Sequence, residues 1–297
     1  MSQSYLDTHE KIECGEAVKI CEVHTEALRP FDSNPIHFND SSALELSGLS
    51  GRTLHGIGGI SLTLADMFRV TDTFGGHPFK GMPTGYDTPP EVTSLFSRFI
   101  KPMFIGDEMC PRFAWTSKGA DFNFSNLNDF HDEAIEGVVK LGKRRDVSET
   151  SEGLTAKKRF FERFRTPIYN QKQNNPLKNG SFHITPADVT KPEEDRPLNR
   201  PIITGLSKIL PMAYISGVLG TKYPGAGTIW LKQHGEFFAR LPTQNSINPY
   251  VEIAVDKVEK RKEGLECELT TNVFDTSPGP ENAIPMYFGR ATVLVRT

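Results

Sequence analysis

An acid, an amide and an imidazole stand within six residues in Asp32-Ser-Asn34-Pro-Ile-His37. These are groups that general acid–base chemistry uses to move protons. Further along, Leu54-His55-Gly56-Ile57 opens an apolar stretch of helical period. The first turn of a helix offers N–H groups without an intrahelical partner and carries partial positive charge, which suits negative charge growing on an oxygen. Together the two segments have what is needed to take a proton from water and to stabilise an oxyanion. Asp-x-Asn-Pro is also ordinary turn chemistry, because Asp and Asn bind nearby backbone N–H groups and Pro fixes φ.

The elements that must position these residues come in two degenerate copies, each a helix followed by several strands. The first helix runs from Gly56 to about Val70, with Ile57, Ile60, Leu64, Met67 and Phe68 at helical spacing. The second runs from Gly205 to about Leu219 with Leu206, Ile209, Leu210, Ala213 and Val218, and Pro211 is expected to kink it. Arg52-Thr-Leu-His-Gly56 matches Pro201-Ile-Ile-Thr-Gly205 as the two helix starts. Period-two alternation then marks strands, most clearly at Val251, Ile253 and Val255 and at Leu265, Cys267, Leu269, Thr271 and Val273. The pattern gives an α+β protein with a unit over 1–142, a linker over 143–180 and a second unit over 181–297. The second copy lacks the Asp32–His37 segment. A segment needed only for folding would be expected in both copies, so its presence in one favours a site.

The bulk composition narrows the function classes. The 297 residues are 37% hydrophobic, enough for a sizeable core, and the formal net charge of −3 gives no general electrostatic case for nucleic acid or a membrane surface. The basic run Lys157–Arg165 is interleaved with phenylalanines but interrupted by Glu162, and reads as a solvated connector. Cys14, Cys21, Cys110 and Cys267 show no zinc spacing, and no two histidines form a His-x-x-x-His pair, so no metal is expected. Gly56-Ile-Gly-Gly59 lacks the dinucleotide fingerprint, and Ser61 lacks a Gly-x-Ser-x-Gly elbow. The polar N-terminus and the lack of a long apolar run lead to a cytoplasmic expectation.

Asp32–His37 followed by Gly51-Arg-Thr-Leu-His-Gly56 resembles the signature of the MaoC-like, R-specific enoyl-CoA hydratases and dehydratases. Leu219-Gly-Thr-Lys-Tyr-Pro-Gly-Ala-Gly-Thr-Ile229 is similar to that family's glycine-rich link from central helix to strand. The resemblance implies a double hotdog, two helix-wrapping antiparallel sheets in one chain. It implies a lyase that hydrates trans-2-enoyl thioesters or dehydrates 3-hydroxyacyl thioesters, without a cofactor, on coenzyme A or acyl carrier protein. A homodimer is a further partner to test. By the same resemblance Asp32 and His37 hold and activate water, Asn34 helps orient it, and the Gly56 N–H binds the thioester oxygen. His55 and Ile57 are candidate substrate contacts, although a helix-start residue satisfied by backbone is the plainer expectation for His55. The acyl chain is expected between the halves against Met212, Ser216 and Gly217, with close helix packing as the plainer alternative. The approach to Asp32 is shorter than the family's, and the motif lies in the first half where two-copy hydratases of fatty-acid breakdown carry it in the second. That leaves room for a biosynthetic or tailoring dehydratase. The rivals are a hotdog thioesterase, for which Asp66 is the sole acid within the first helix, and a non-catalytic acyl-binding module.

Overall fold

The computed structural model describes residues 12–73, 91–127, 129–145, 180–183, 200–238, 247–277 and 283–296. The first half contains β1 (Glu13–Cys14), β2 (Val18–Lys19), α1 (Glu22–Glu26), a 3₁₀ turn (Pro35–His37), α2 (Asp40–Ser47), β3 (Thr53–Leu54) and α3 (Gly56–Thr73). It continues with β4 (Glu91–Phe99), β5 (Met103–Phe104), β6 (Glu108–Thr116), β7 (Gly119–Asn126) and β8 (Asp129–Gly142). The second half contains β9 (Gly180–His183), α4 (Arg200–Lys208), α5 (Leu210–Thr221), β10 (Thr228–Phe237), β11 (Pro249–Arg261), β12 (Gly264–Asp275) and β13 (Ile284–Val295).

Eleven strands form one antiparallel sheet in the order β1-β6-β7-β8-β4-β10-β13-β12-β11-β9, with β2 also on β6. Outward from the centre, β4-β8-β7-β6-β1 matches β10-β13-β12-β11-β9, so the two halves repeat one topology. The join is the β4–β10 pair, in which Ser97 faces Gln233 and Phe96 faces His234. Helix α3 lies on β6, β7 and β8, and α5 lies on β10, β11 and β12. Strand alternation sends Cys267, Leu269, Thr271 and Val273 inward on β12, all fully buried. One apolar cluster runs through both halves, from Ile57, Ile60 and Leu64 of α3 through Ile202 and Leu206 of α4 to Met212, Ile215 and Val218 of α5. A helix that is apolar on every side is stable only when enclosed, and α5 is buried from Leu210 to Gly220.

The structure corrects the expected second helix. The 205–219 segment is two helices that meet at Ile209 with a bend of 99°. Pro211 sits in the first turn of α5, where its missing N–H removes no intrahelical bond, so it opens a helix rather than kinking one. Gly205 consequently lies inside α4, against the Ser61 carbonyl of α3, and is not the counterpart of Gly56. Among the described residues no single helix is long and apolar enough to cross a membrane. The Lys157–Arg165 run and most of the expected linker lie outside the described residues.

Candidate active site

The expected turn forms, and its side chains also line a cavity. Asp32 Oδ1 accepts from the Asn34 N–H at 3.0 Å, and Asn34 Oδ1 caps the 3₁₀ turn by accepting from the Ile36 N–H at 3.5 Å. Pro35 opens that turn, and His37 ends it. The turn occupies only one oxygen of Asp32. Its Oδ2 accepts from the Ser216 hydroxyl at 2.7 Å, a donor that comes from α5 in the other half. Asp32 and Asn34 are buried, and His37 is partly exposed.

His37 is fixed by the strand that precedes α3. Its Nδ1 donates to the Thr53 carbonyl at 2.8 Å. A carbonyl can only accept, so the proton sits on Nδ1 and Nε2 keeps a free lone pair. His55, the residue before α3, stacks on His37 with ring centroids 3.6 Å apart and planes 27° apart. Its Nε2 donates to the Asp32 carbonyl at 3.1 Å, which ties the helix start to the acid's own backbone. The Nδ1 of His55 is buried without a partner.

Gly56 begins α3, so its N–H has no carbonyl within its own helix to meet. The Phe99 ring lies over it, 2.5 Å from where a Cβ would stand. Side chains from both halves enclose a cavity of about 280 Å³ beside these groups. Asp32, Asn34, His37 and Gly56 line it, as do Ser216, Leu219 and Gly220. Its walls are mostly apolar, and Phe99 from β4 and Trp230 from β10 meet there with centroids 5.5 Å apart.

Two electrostatic directions define the chemistry. Burial raises the Asp32 carboxyl above its ordinary value, against the pull of His37, the Ser216 hydroxyl and the Asn34 N–H. Burial lowers His37 below its ordinary 6.5, against the opposing effects of the Asp32 charge and the Thr53 carbonyl. His55 is pushed further down, first by burial and then by a charge on His37. Both imidazoles are therefore neutral at pH 7, and His37 can accept a proton. The polar atoms of Asp32, His37 and His55 lie within 4.8 Å of one another, close enough for a metal-ligand set. The ring planes are nearly parallel, however, so the in-plane lone pairs of the two imidazoles run side by side instead of converging on one ion. The arrangement suits proton transfer better than metal binding.

These burials make stability depend on pH. The unfolded chain protonates its histidines near 6.5, whereas folded His37 and His55 resist protonation until lower pH. Below 6.5 the unfolded state thus holds more protons, and stability should fall as pH drops. Chemical denaturation from pH 7.5 to 5 checks this, and replacing His55 with Phe should flatten the slope. An unchanged slope in that variant would count against buried neutral rings.

The structure brings Asp32, Asn34, His37, Gly56 and Ser216 together around one cavity, with His55 directly behind His37. Ile57 and Met212 are buried in the core and do not line the cavity. Gly217 packs against the site loop instead, since a Cβ there would stand 1.8 Å from the Phe31 carbonyl oxygen. Sequence reasoning missed the Thr53 carbonyl, which belongs to backbone and leaves no residue-type signal. Trp230 lies at a register shift between β10 and β13, the kind of irregularity that re-aims a side chain.

No protein-family model matches the sequence, and no curated protein is significantly similar to it. Solved structures do share its shape. A conserved hypothetical protein from Mycobacterium tuberculosis with a double hotdog fold is 12% identical, with 98% of each chain covered and a TM-score of 0.55. A MaoC-like dehydratase is 13% identical over 96% of this chain and 97% of its own, with a TM-score of 0.52. A putative oleoyl thioesterase from Lactobacillus plantarum is 6% identical over 98% and 99%, also with a TM-score of 0.52. The fold of this protein is the double hotdog.

Proposed function

We propose that this protein is a MaoC-like hydro-lyase that adds water to trans-2-enoyl thioesters or removes it from 3-hydroxyacyl thioesters. The observation that carries the reading is the placement of Asp32 and a neutral His37 on one turn, facing a cavity beside the first N–H of α3. In the hydration direction His37 Nε2 takes a proton from water as the oxygen bonds to Cβ. The electron pair of the double bond moves toward the thioester oxygen, where the Gly56 N–H stabilises the charge. Cα then takes the proton back from the imidazolium, and the sum is the addition of one water. Asp32 orients the water and stabilises the charged imidazole. Apolar walls suit an acyl chain, and Lys101 and Arg296 among the lining residues suit the phosphate of coenzyme A or of an acyl carrier protein's prosthetic arm.

Thioester hydrolysis is the second reading, because a thioesterase shares the fold. The acid expected for it does not reach the cavity. Asp66 accepts from the Glu16 N–H at 2.6 Å and pairs with Arg69 at 2.9 Å, away from the lining residues. One assay separates the readings: enoyl-CoA and 3-hydroxyacyl-CoA substrates of graded size, followed both for the conjugated enoyl absorbance and for free thiol. Reversible loss of the enoyl signal without thiol release is expected. Thiol release as the main event would replace the lyase reading with hydrolysis.

A further inference from the structure

Among the described residues the second half places no acid or imidazole at the site, yet one of its side chains touches the acid of the first. Ser216 is 7% exposed and stands on α5, flanked by two glycines on the face that meets the site loop. A Cβ at Gly217 would stand 1.8 Å from the Phe31 carbonyl oxygen, and one at Gly220 would stand 2.9 Å from Asp32 Oδ1. The helix therefore approaches the loop backbone to backbone, within reach of a short hydroxyl. With Asn34 holding Oδ1 and Ser216 holding Oδ2, both oxygens of Asp32 have fixed donors and the carboxylate has one orientation.

We propose that Ser216 is a positioning residue for the acid: its hydroxyl, delivered across the junction of the two halves, locks the Asp32 carboxylate in the orientation that faces the cavity. The inference rests on the lyase reading for its kinetic consequence, but not for its structural one. A hydroxyl donor favours the ionised carboxylate, and here it opposes the effect of burial. The titratable groups that face Asp32 are His37 and His55, with Arg29 acting on His55. Helix α5 carries no Asp, Glu, Lys, Arg or His. Ser216 is therefore the group through which α5 favours the charged acid.

Two measurements test this. In Ser216→Ala, kcat/KM for the best enoyl thioester should fall roughly ten- to a hundredfold, the range of one hydrogen bond to a charged group. The acid limb of its pH profile should move to higher pH, while Ser216→Thr, which keeps the hydroxyl, should restore the wild-type limb. Independently of turnover, the Asp32 carboxyl followed by carbon NMR in aspartate-labelled protein should titrate at higher pH in the Ala variant. Ser216→Cys, of similar volume but a weak donor, serves the same purpose if the Ala variant does not fold. Absence of hydration by wild type with a shifted Asp32 titration would reject the lyase reading alone. An Asp32 titration and acid limb that coincide with wild type would overturn the proposal.

Discussion

Asp32→Asn is expected to lower hydration of enoyl thioesters by about 10²–10⁴-fold, the usual contribution of a positioned acid–base group. The substitution keeps the shape of the side chain, and an amide oxygen can still accept from the Asn34 N–H. The Ser216 hydroxyl can rotate to accept from the new amide, so the contact with α5 survives. What is lost is the negative charge facing His37, which orients water and steadies the imidazolium. Melting temperature should accordingly stay near that of wild type while turnover collapses. A variant that folds normally and turns over within a few-fold of wild type would remove Asp32 from the mechanism.

His37→Gln should produce a loss of similar size, about 10²–10⁴-fold, for a different reason. Gln keeps a polar side chain of similar volume, but it has no group that accepts a proton near neutral pH. Wild type should lose kcat/KM as pH falls through the His37 value, which lies below 6.5 because burial favours the neutral ring. In the Gln variant that part of the acid limb should vanish along with most of the rate. Retention of the full wild-type profile at reduced amplitude would point to another base. The two variants together also separate orientation of the water from removal of its proton.

The parts of this site that could be read in the sequence are those built locally. Asp32, Asn34, Pro35 and His37 form one turn whose bonds span two residues each, so residue type and spacing contain nearly all of it. The start of α3 is visible for the same reason, in a glycine followed by apolar residues at helical spacing. The strands of the second half are visible in alternation, because one face of each is buried, whereas their order in the sheet is set by long-range pairing. The contact from Ser216 to Asp32 spans 184 positions and has no local signature. The small residues around it read as room for an acyl chain, with close packing as the alternative, and did not reveal what packs there. The break at Ile209 was misplaced because a proline in an apolar run reads equally well as a kink or as a first helical turn, and only the wrapping sheet decides.

The loop that carries Asp32 packs on a helix of the opposite half, and both lie in one covalent chain. In a symmetric pair of identical subunits, any change at such a contact is made twice, and its energetic effect enters twice. Here the contact of Gly217 with the Phe31 carbonyl joins two different stretches of one chain, so a change at either is made once. A substitution that costs about 1.4 kcal/mol lowers the folded-to-unfolded ratio tenfold when made once and a hundredfold when made twice. Fusion of the halves thus widens the set of tolerable single steps at the junction. Under the proposed lyase reading, it lets one half serve as a scaffold for the proton-transfer residues of the other.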